Sequence, residues 1–206
     1  MLVTKIEEAD SRRVKVFLDG EYAFPLYRSE LSSYGIKEGE QITEPQYQTL
    51  FDEVLQKRVR LRAMNLLTKR PYTEAGLRQK LRDSLYPPVL VENGIAYVSR
   101  FGYLNDENYL RDYVESLSGK YSTRVIRNKL LQKGISQELI DTYFANLQDD
   151  LQKEEGELLD ALIQKRCKGA LPADPKDMAK LMRYLAGKGF SQGDIRKAIR
   201  KLESEA

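Results

Sequence analysis

The sequence predicts a mainly α-helical protein: three tandem three-helix repeats forming an elongated stack, preceded by a small N-terminal β unit. Three observations lead there. Apolar residues recur at helical spacing from about residue 46 onward, a helix–corner–helix motif returns at offsets of 49 and 55 residues, and only the first two dozen residues alternate as strands do.

Taken in order, Val3-Thr4-Lys5-Ile6 and Arg13-Val14-Lys15-Val16-Phe17-Leu18 alternate apolar and polar residues, and Asp19-Gly20 turns the chain into Tyr22-Ala23-Phe24. This reads as a small hairpin or three-strand meander. A short helix follows near Ser29 to Tyr34, and because so few strands rarely stand alone in water, the unit is expected to pack on something else. Thr43-Glu44-Pro45, a cap-type residue with an early proline, opens a long helix running to about Lys69. Thr73 then caps a helix striped by Leu77, Leu81 and Leu85. Ser122 precedes Val125, Ile126 and Leu130, and Ser136 precedes Leu139, Ile140, Tyr143, Phe144 and Leu147. The stripes Leu158-Leu159-Leu162-Ile163-Cys167, Met178-Leu181-Met182-Leu185 and Ile195-Ala198-Ile199-Leu202 complete the body. They read as core faces, Cys167 included.

Leu130-x-x-Lys133-Gly134-Ile135-Ser136-Gln137-x-x-Ile140 recurs as Leu185-x-x-Lys188-Gly189-Phe190-Ser191-Gln192-x-x-Ile195. Thr73-x-x-x-Leu77-Arg78-x-Lys80-Leu81 matches Ser122-x-x-x-Ile126-Arg127-x-Lys129-Leu130. Lysine in the last turn suits the negative helix end, glycine takes the left-handed conformation that closes the helix, and serine caps the next one. The organisation is therefore 1–45 as the β unit with its short helix, 46–105 as a linking helix and repeat 1, 106–152 as repeat 2 and 153–206 as repeat 3. Stacked units of this kind contact mainly their neighbours and offer a long surface to a partner.

Composition excludes several function classes. With 41% apolar and 32% charged residues the chain is expected to fold, and no run is long enough for a membrane span or a signal sequence. One cysteine excludes an internal disulfide and a thiolate metal cluster and fits a reducing cytoplasm. The absence of histidine removes the usual general base and the commonest metal ligand, and no G-x-x-x-x-G-K-[ST] phosphate loop is present. An enzyme is the least favoured reading, with no catalytic, cofactor or metal residues expected. The net charge of +3 is unevenly spread: residues 57–105 carry 10 basic and 3 acidic groups, whereas residues 1–56 carry 6 and 11. Such a basic segment attracts nucleic acid or an acidic protein surface. The acidic run Asp149, Asp150, Glu154, Glu155, Glu157, Asp160 reads as a solvated stretch sooner than a second docking face or a metal site.

Three segments resemble the RecX family across roughly residues 57 to 202. Phe101-Gly102-Tyr103-Leu104-Asn105-Asp106-Glu107-Asn108-Tyr109 is similar to the junction between the family's first two units. Arg124 to Ser136, with its Lys133-Gly134 corner, resembles the second-unit signature, and Tyr184-Leu185-Ala186-Gly187-Lys188-Gly189-Phe190-Ser191 resembles the third-unit ending. Leu110 stands where the family usually has Ala, Gly76 where a helix former is common, and Asp83-Ser84-Leu85-Tyr86-Pro87-Pro88 replaces the first Lys-Gly corner, leaving that corner's geometry open. The resemblance implies a regulator that binds the RecA filament on single-stranded DNA, and a cytoplasmic monomer is expected. Such a protein restrains recombinase, ATPase and co-protease activity in DNA repair, recombination and the SOS response, with no cofactor. The basic segment leaves weak single- or double-stranded DNA binding open as well. Arg58, Arg60, Arg62, Lys69, Arg70, Arg78, Lys80, Arg82, Arg124, Arg127 and Lys129 are the candidate RecA or DNA contacts, although each also fits an ordinary solvated helix face. The residues by themselves also permit a helical-repeat nucleic-acid binder without a specific protein partner. Tyr103, Tyr109 and Tyr113 suit either base stacking or ordinary packing.

Overall fold

The computed structural model describes residues 1–167 and 170–205, with side chains described outside 148–153 and 205; Asp149 and Asp150 of the acidic run therefore lie outside the described side chains. The chain divides into two compact units, Met1–Asp106 and Glu107–Ala206.

In the first unit, β1 (Val3–Glu8), β2 (Arg13–Leu18) and β3 (Glu21–Tyr27) form an antiparallel meander in the order β1-β2-β3. Leu18 pairs with Glu21 across Asp19 and Gly20, whose φ values of +49° and +91° make the two-residue turn that matches strand twist. Val14, Val16 and Leu18 alternate inward along β2. After the short α1 (Arg28–Ser33), Thr43 and Gln46 form a reciprocal capping box at the start of α2 (Glu44–Thr49). The helix continues through a π-helical segment, Leu50–Leu55, into α3 (Gln56–Leu67). The sequence pattern anticipates the long helix but not its π turn. Two further helices, α4 (Glu74–Asp83) and α5 (Pro88–Arg100), complete the first repeat. The β unit does pack on something: Val3, Val16, Phe24 and Leu26 share one buried cluster with Leu55, Val59, Ala63, Leu81 and Leu90. At Gly94 a Cβ would lie 3.0 Å from Val59 Cγ2, so glycine sets the close approach of α5 to α3.

In the second unit, α6 (Asp106–Leu117, beginning on the last residue of the first), α7 (Thr123–Gln132) and α8 (Gln137–Ala145) form a three-helix repeat around Leu110, Val114, Ile126, Leu130, Ile140 and Phe144. Its successor comprises α9 (Gln148–Cys167), α10 (Pro175–Gly187) and α11 (Gln192–Glu205), packed around Leu159, Ile163, Leu181, Leu185, Phe190, Ile195 and Ile199. The mainly α fold of three three-helix repeats behind a small β unit stands as the sequence predicts. Cys167 packs at the edge of the third core, and burial pushes its thiol pKa up.

The corner between the second and third helices is the same in all three repeats. The Tyr86, Ile135 and Phe190 amides donate to the Leu81, Leu130 and Leu185 carbonyls at 3.3, 3.2 and 3.3 Å, and the residue before each takes a positive φ: Leu85 at +73°, Gly134 at +82°, Gly189 at +103°. The corner left open in the first repeat thus closes without a glycine. The β unit holds it: Arg13 Nη1 donates to the Ser84 carbonyl at 3.0 Å and the Tyr22 hydroxyl donates to the Leu85 carbonyl. Surroundings that over-determine a backbone in this way sustain a conformation a leucine rarely adopts alone.

A second device recurs at an offset of 49 residues. The Glu74 amide at the start of α4 donates to Asp106 Oδ1 at 2.8 Å, and the Thr123 amide at the start of α7 donates to Glu155 Oε1. A carboxylate at a helix N-terminus satisfies an orphan N–H and favours the positive end of the dipole. Within the second unit the repeats also meet where the Ser122 amide donates to the Lys188 carbonyl at 2.9 Å and Arg124 Nε donates to the Gly189 carbonyl at 3.1 Å. Ser122 occupies the N-cap position of α7, yet its buried hydroxyl has no hydrogen-bond partner among the described residues, so packing displaces the capping role its residue type suggests.

Candidate partner-binding surface

The candidate cations fall into two groups by what they already touch. Arg78 is held by Glu74 at 2.8 Å and by both oxygens of Glu92 at 2.8 and 3.0 Å, and these carboxylate bonds raise its pKa further. Arg58 pairs with Glu30 and lies 4.8 Å from the Tyr27 ring. Arg127 pairs with Asp141 and lies 5.1 Å from the Phe144 ring, Lys80 pairs with Asp83 at 3.3 Å, and Arg124 bridges to the Gly189 carbonyl. These five are built into the fold.

Arg60, Arg62, Lys69, Arg70, Arg82 and Lys129 form no ion pair among the described residues. Arg60 donates to Asn93 Oδ1 at 2.9 Å and Gln56 Oε1 at 2.7 Å beneath the Tyr97 ring, Arg62 donates weakly to Ser84 Oγ at 3.3 Å, and Arg70 and Lys129 lie against Tyr72 and Tyr121 at 4.6 and 5.2 Å. No carboxylate among the described residues neutralises any of the six, although Arg60 is held by its two amide oxygens. Tyr109 and Tyr113 stack 5.8 Å apart against the second repeat's core, whereas Tyr103 is 56% exposed and Phe101, its neighbour at 6.2 Å, 55% exposed.

The structure brings Arg58, Arg62 and Lys80 together with two arginines the sequence did not single out. Arg12 and Arg13 sit in the β1–β2 turn, where Asp10 accepts from the Arg12 amide at 2.9 Å and the Arg13 amide at 2.8 Å. These bonds, with the Arg13 guanidinium, hold the Asp10 carboxyl down to about 2. The adjacent pair was hidden because it sits in a segment with net acidic charge, and only folding carries it to α3 and α4. Among the described residues no cluster of three potential metal ligands occurs, and no helix is long and apolar enough to cross a membrane.

Three tandem three-helix domains with a shared corner and a largely basic first repeat define a helical-repeat protein. Models of the first, second and third RecX three-helix domains match residues 60–97, 105–143 and 153–199. The chain is 29% identical over 201 residues to the regulatory protein RecX of Caldanaerobacter subterraneus, covering 97% of this chain and 98% of that one. It is 31% identical over 162 residues to that of Serratia proteamaculans, covering 68% and 94%. A crystal structure of regulatory protein RecX, 25% identical, superposes with a TM-score of 0.59 over 95% of this chain and 98% of the other. The chain belongs to the RecX family of regulatory proteins.

Proposed function

We propose that this protein binds the RecA filament formed on single-stranded DNA and restrains it, lowering recombinase, ATPase and co-protease activity and so acting in DNA repair, recombination and the SOS response. It does so as a cytoplasmic monomer that catalyses no reaction of its own and needs no cofactor. The observation that supports this reading most is that all three repeats match the RecX domains in order, with the corner preserved in each.

The candidate contacts sort accordingly. Arg60, Arg62, Lys69, Arg70, Arg82 and Lys129 carry charge that no carboxylate neutralises, so they serve the filament or its DNA, while Arg58, Arg78, Lys80, Arg124 and Arg127 brace the surface. Cosedimentation with RecA filaments tests the division. Replacing Arg62, Lys69, Arg70, Arg82 and Lys129 by serine, and leaving the hydrogen-bonded Arg60 in place, is expected to weaken filament binding at least several-fold with little change in melting temperature, whereas Arg78→Ala is expected to lower the melting temperature. Unchanged filament binding by the five-fold variant would contradict the assignment.

A second reading, a nucleic-acid binder with no protein partner, is favoured by the 10-to-3 basic excess of residues 57–105. It predicts tight, steeply salt-dependent binding to free DNA and no saturable binding to RecA beyond what the DNA accounts for.

A further inference from the structure

The β1–β2 turn from Asp10 to Arg13, the end of β3 at Pro25–Tyr27, Arg58 and Arg62 on α3, the end of α4 and Tyr86 enclose an open cleft of about 680 Å³. That volume lies in the range of small-ligand sites. Its walls belong to one body, since the sheet and the first repeat share a single hydrophobic core and Arg13 and Tyr22 bond directly to the α4 corner. Such a cleft is preorganised.

Five cations line it, Arg12, Arg13, Arg58, Arg62 and Lys80, against two carboxylates. Both carboxylates are committed. Asp10 is bound to the two turn amides and to Arg13 Nε at 2.8 Å, and Asp83 accepts from Gln79 at 2.9 Å and Lys80 at 3.3 Å, bonds that lower the pKa of each and keep them ionised. Arg58 is occupied by Glu30. Arg12, exposed, and Arg62, with only a weak bond to Ser84, make no ion pair among the described residues. Two guanidinium forks thus remain open in the same cleft, and Tyr27, 41% exposed, lines it with Arg58 4.8 Å from its ring.

We propose that this cleft binds the phosphodiester backbone of single-stranded DNA, with Arg12 and Arg62 taking phosphate oxygens and Tyr27 offering a ring to a base. A planar fork of donors suits phosphate oxygens, and a basic groove beside an exposed aromatic ring is the combination that holds single strands. An acidic polypeptide would satisfy the arginines without drawing on the exposed part of the Tyr27 ring. The β unit thereby gains a role: it supplies half of a nucleic-acid site whose other half is the first repeat.

Anisotropy of a fluorescein-labelled oligodeoxythymidylate, titrated with the full chain at low salt and without RecA, tests this independently of the filament reading. The Arg12→Ser/Arg62→Ser double variant is expected to lose about tenfold in affinity, and its plot of log K against log salt to become shallower by roughly 1.4, about 0.7 for each lost phosphate contact. Tyr27→Leu is expected to weaken binding with the slope unchanged. A control of equal charge loss, Arg196→Ser/Arg200→Ser, keeps most of the affinity. An equal loss in the control, or none in the double variant, overturns the proposal. So does polyglutamate that displaces the oligonucleotide as well as unlabelled DNA does at equal charge, which would assign the cleft to an acidic protein. RecA inhibition retained by a double variant that has lost DNA binding would leave the filament reading standing by itself.

Discussion

A Cβ on Gly189 would overlap Ser122 Oγ and sit 2.5 Å from Val125 Cγ2, and the backbone there has φ +103°. Gly189→Ala therefore both strains the corner and pushes the second and third repeats against each other. It is expected to destabilise the protein by about 2–4 kcal/mol, read as a lowered urea midpoint. Leu85 occupies the same corner position with a Cβ already accommodated, so Leu85→Gly relieves left-handed strain while losing a partly buried side chain. Its expected effect is within about 1 kcal/mol of neutral. Asp10 makes a further residue-scale prediction. Its carboxyl is lowered to about 2, so its contribution is present above the ordinary carboxylate pKa and is lost as pH falls towards 2. Asp10→Asn is expected to flatten the fall of the urea midpoint between about pH 4 and pH 2.

At the scale of elements, the two carboxylates that bind helix N-termini are a repeated device. Glu155→Ala removes the acceptor of the Thr123 amide and is expected to cost about 0.5–2 kcal/mol and to speed hydrogen exchange at that amide. Asp106 is different, because burial raises its pKa despite the bond from Glu74. The charged form is the penalised one, so its contribution favours folding below its ordinary pKa and declines as pH rises through the raised value. Asp106→Asn keeps an acceptor and removes that charge penalty, whereas Asp106→Ala keeps neither the acceptor nor the charge. The corners were legible in the sequence because Lys133-Gly134 and Lys188-Gly189 repeat letter for letter. The first corner was not, since its left-handed residue is a leucine held by Arg13 and Tyr22 from another element. The pairing of Arg78 with Glu92 and the cleft around Arg12 were equally hidden, being products of tertiary packing between segments of unlike composition.

For the whole molecule, the three repeats and the β unit followed from periodicity and self-similarity, and family membership followed from the junction and corner residues. The surface chemistry did not: a basic excess counted along the chain does not say which arginines are neutralised by carboxylates from other helices. That distinction decides which cations the proposed contact with a polyanionic partner rests on. The measurement that tests the central claim most directly is the ATPase rate of RecA on single-stranded DNA, titrated with this protein from sub-stoichiometric to equimolar ratios alongside its binding to free DNA. Inhibition well below one molecule per RecA, at concentrations where free DNA is not sequestered, is the predicted result. An unchanged rate at equimolar protein would contradict it.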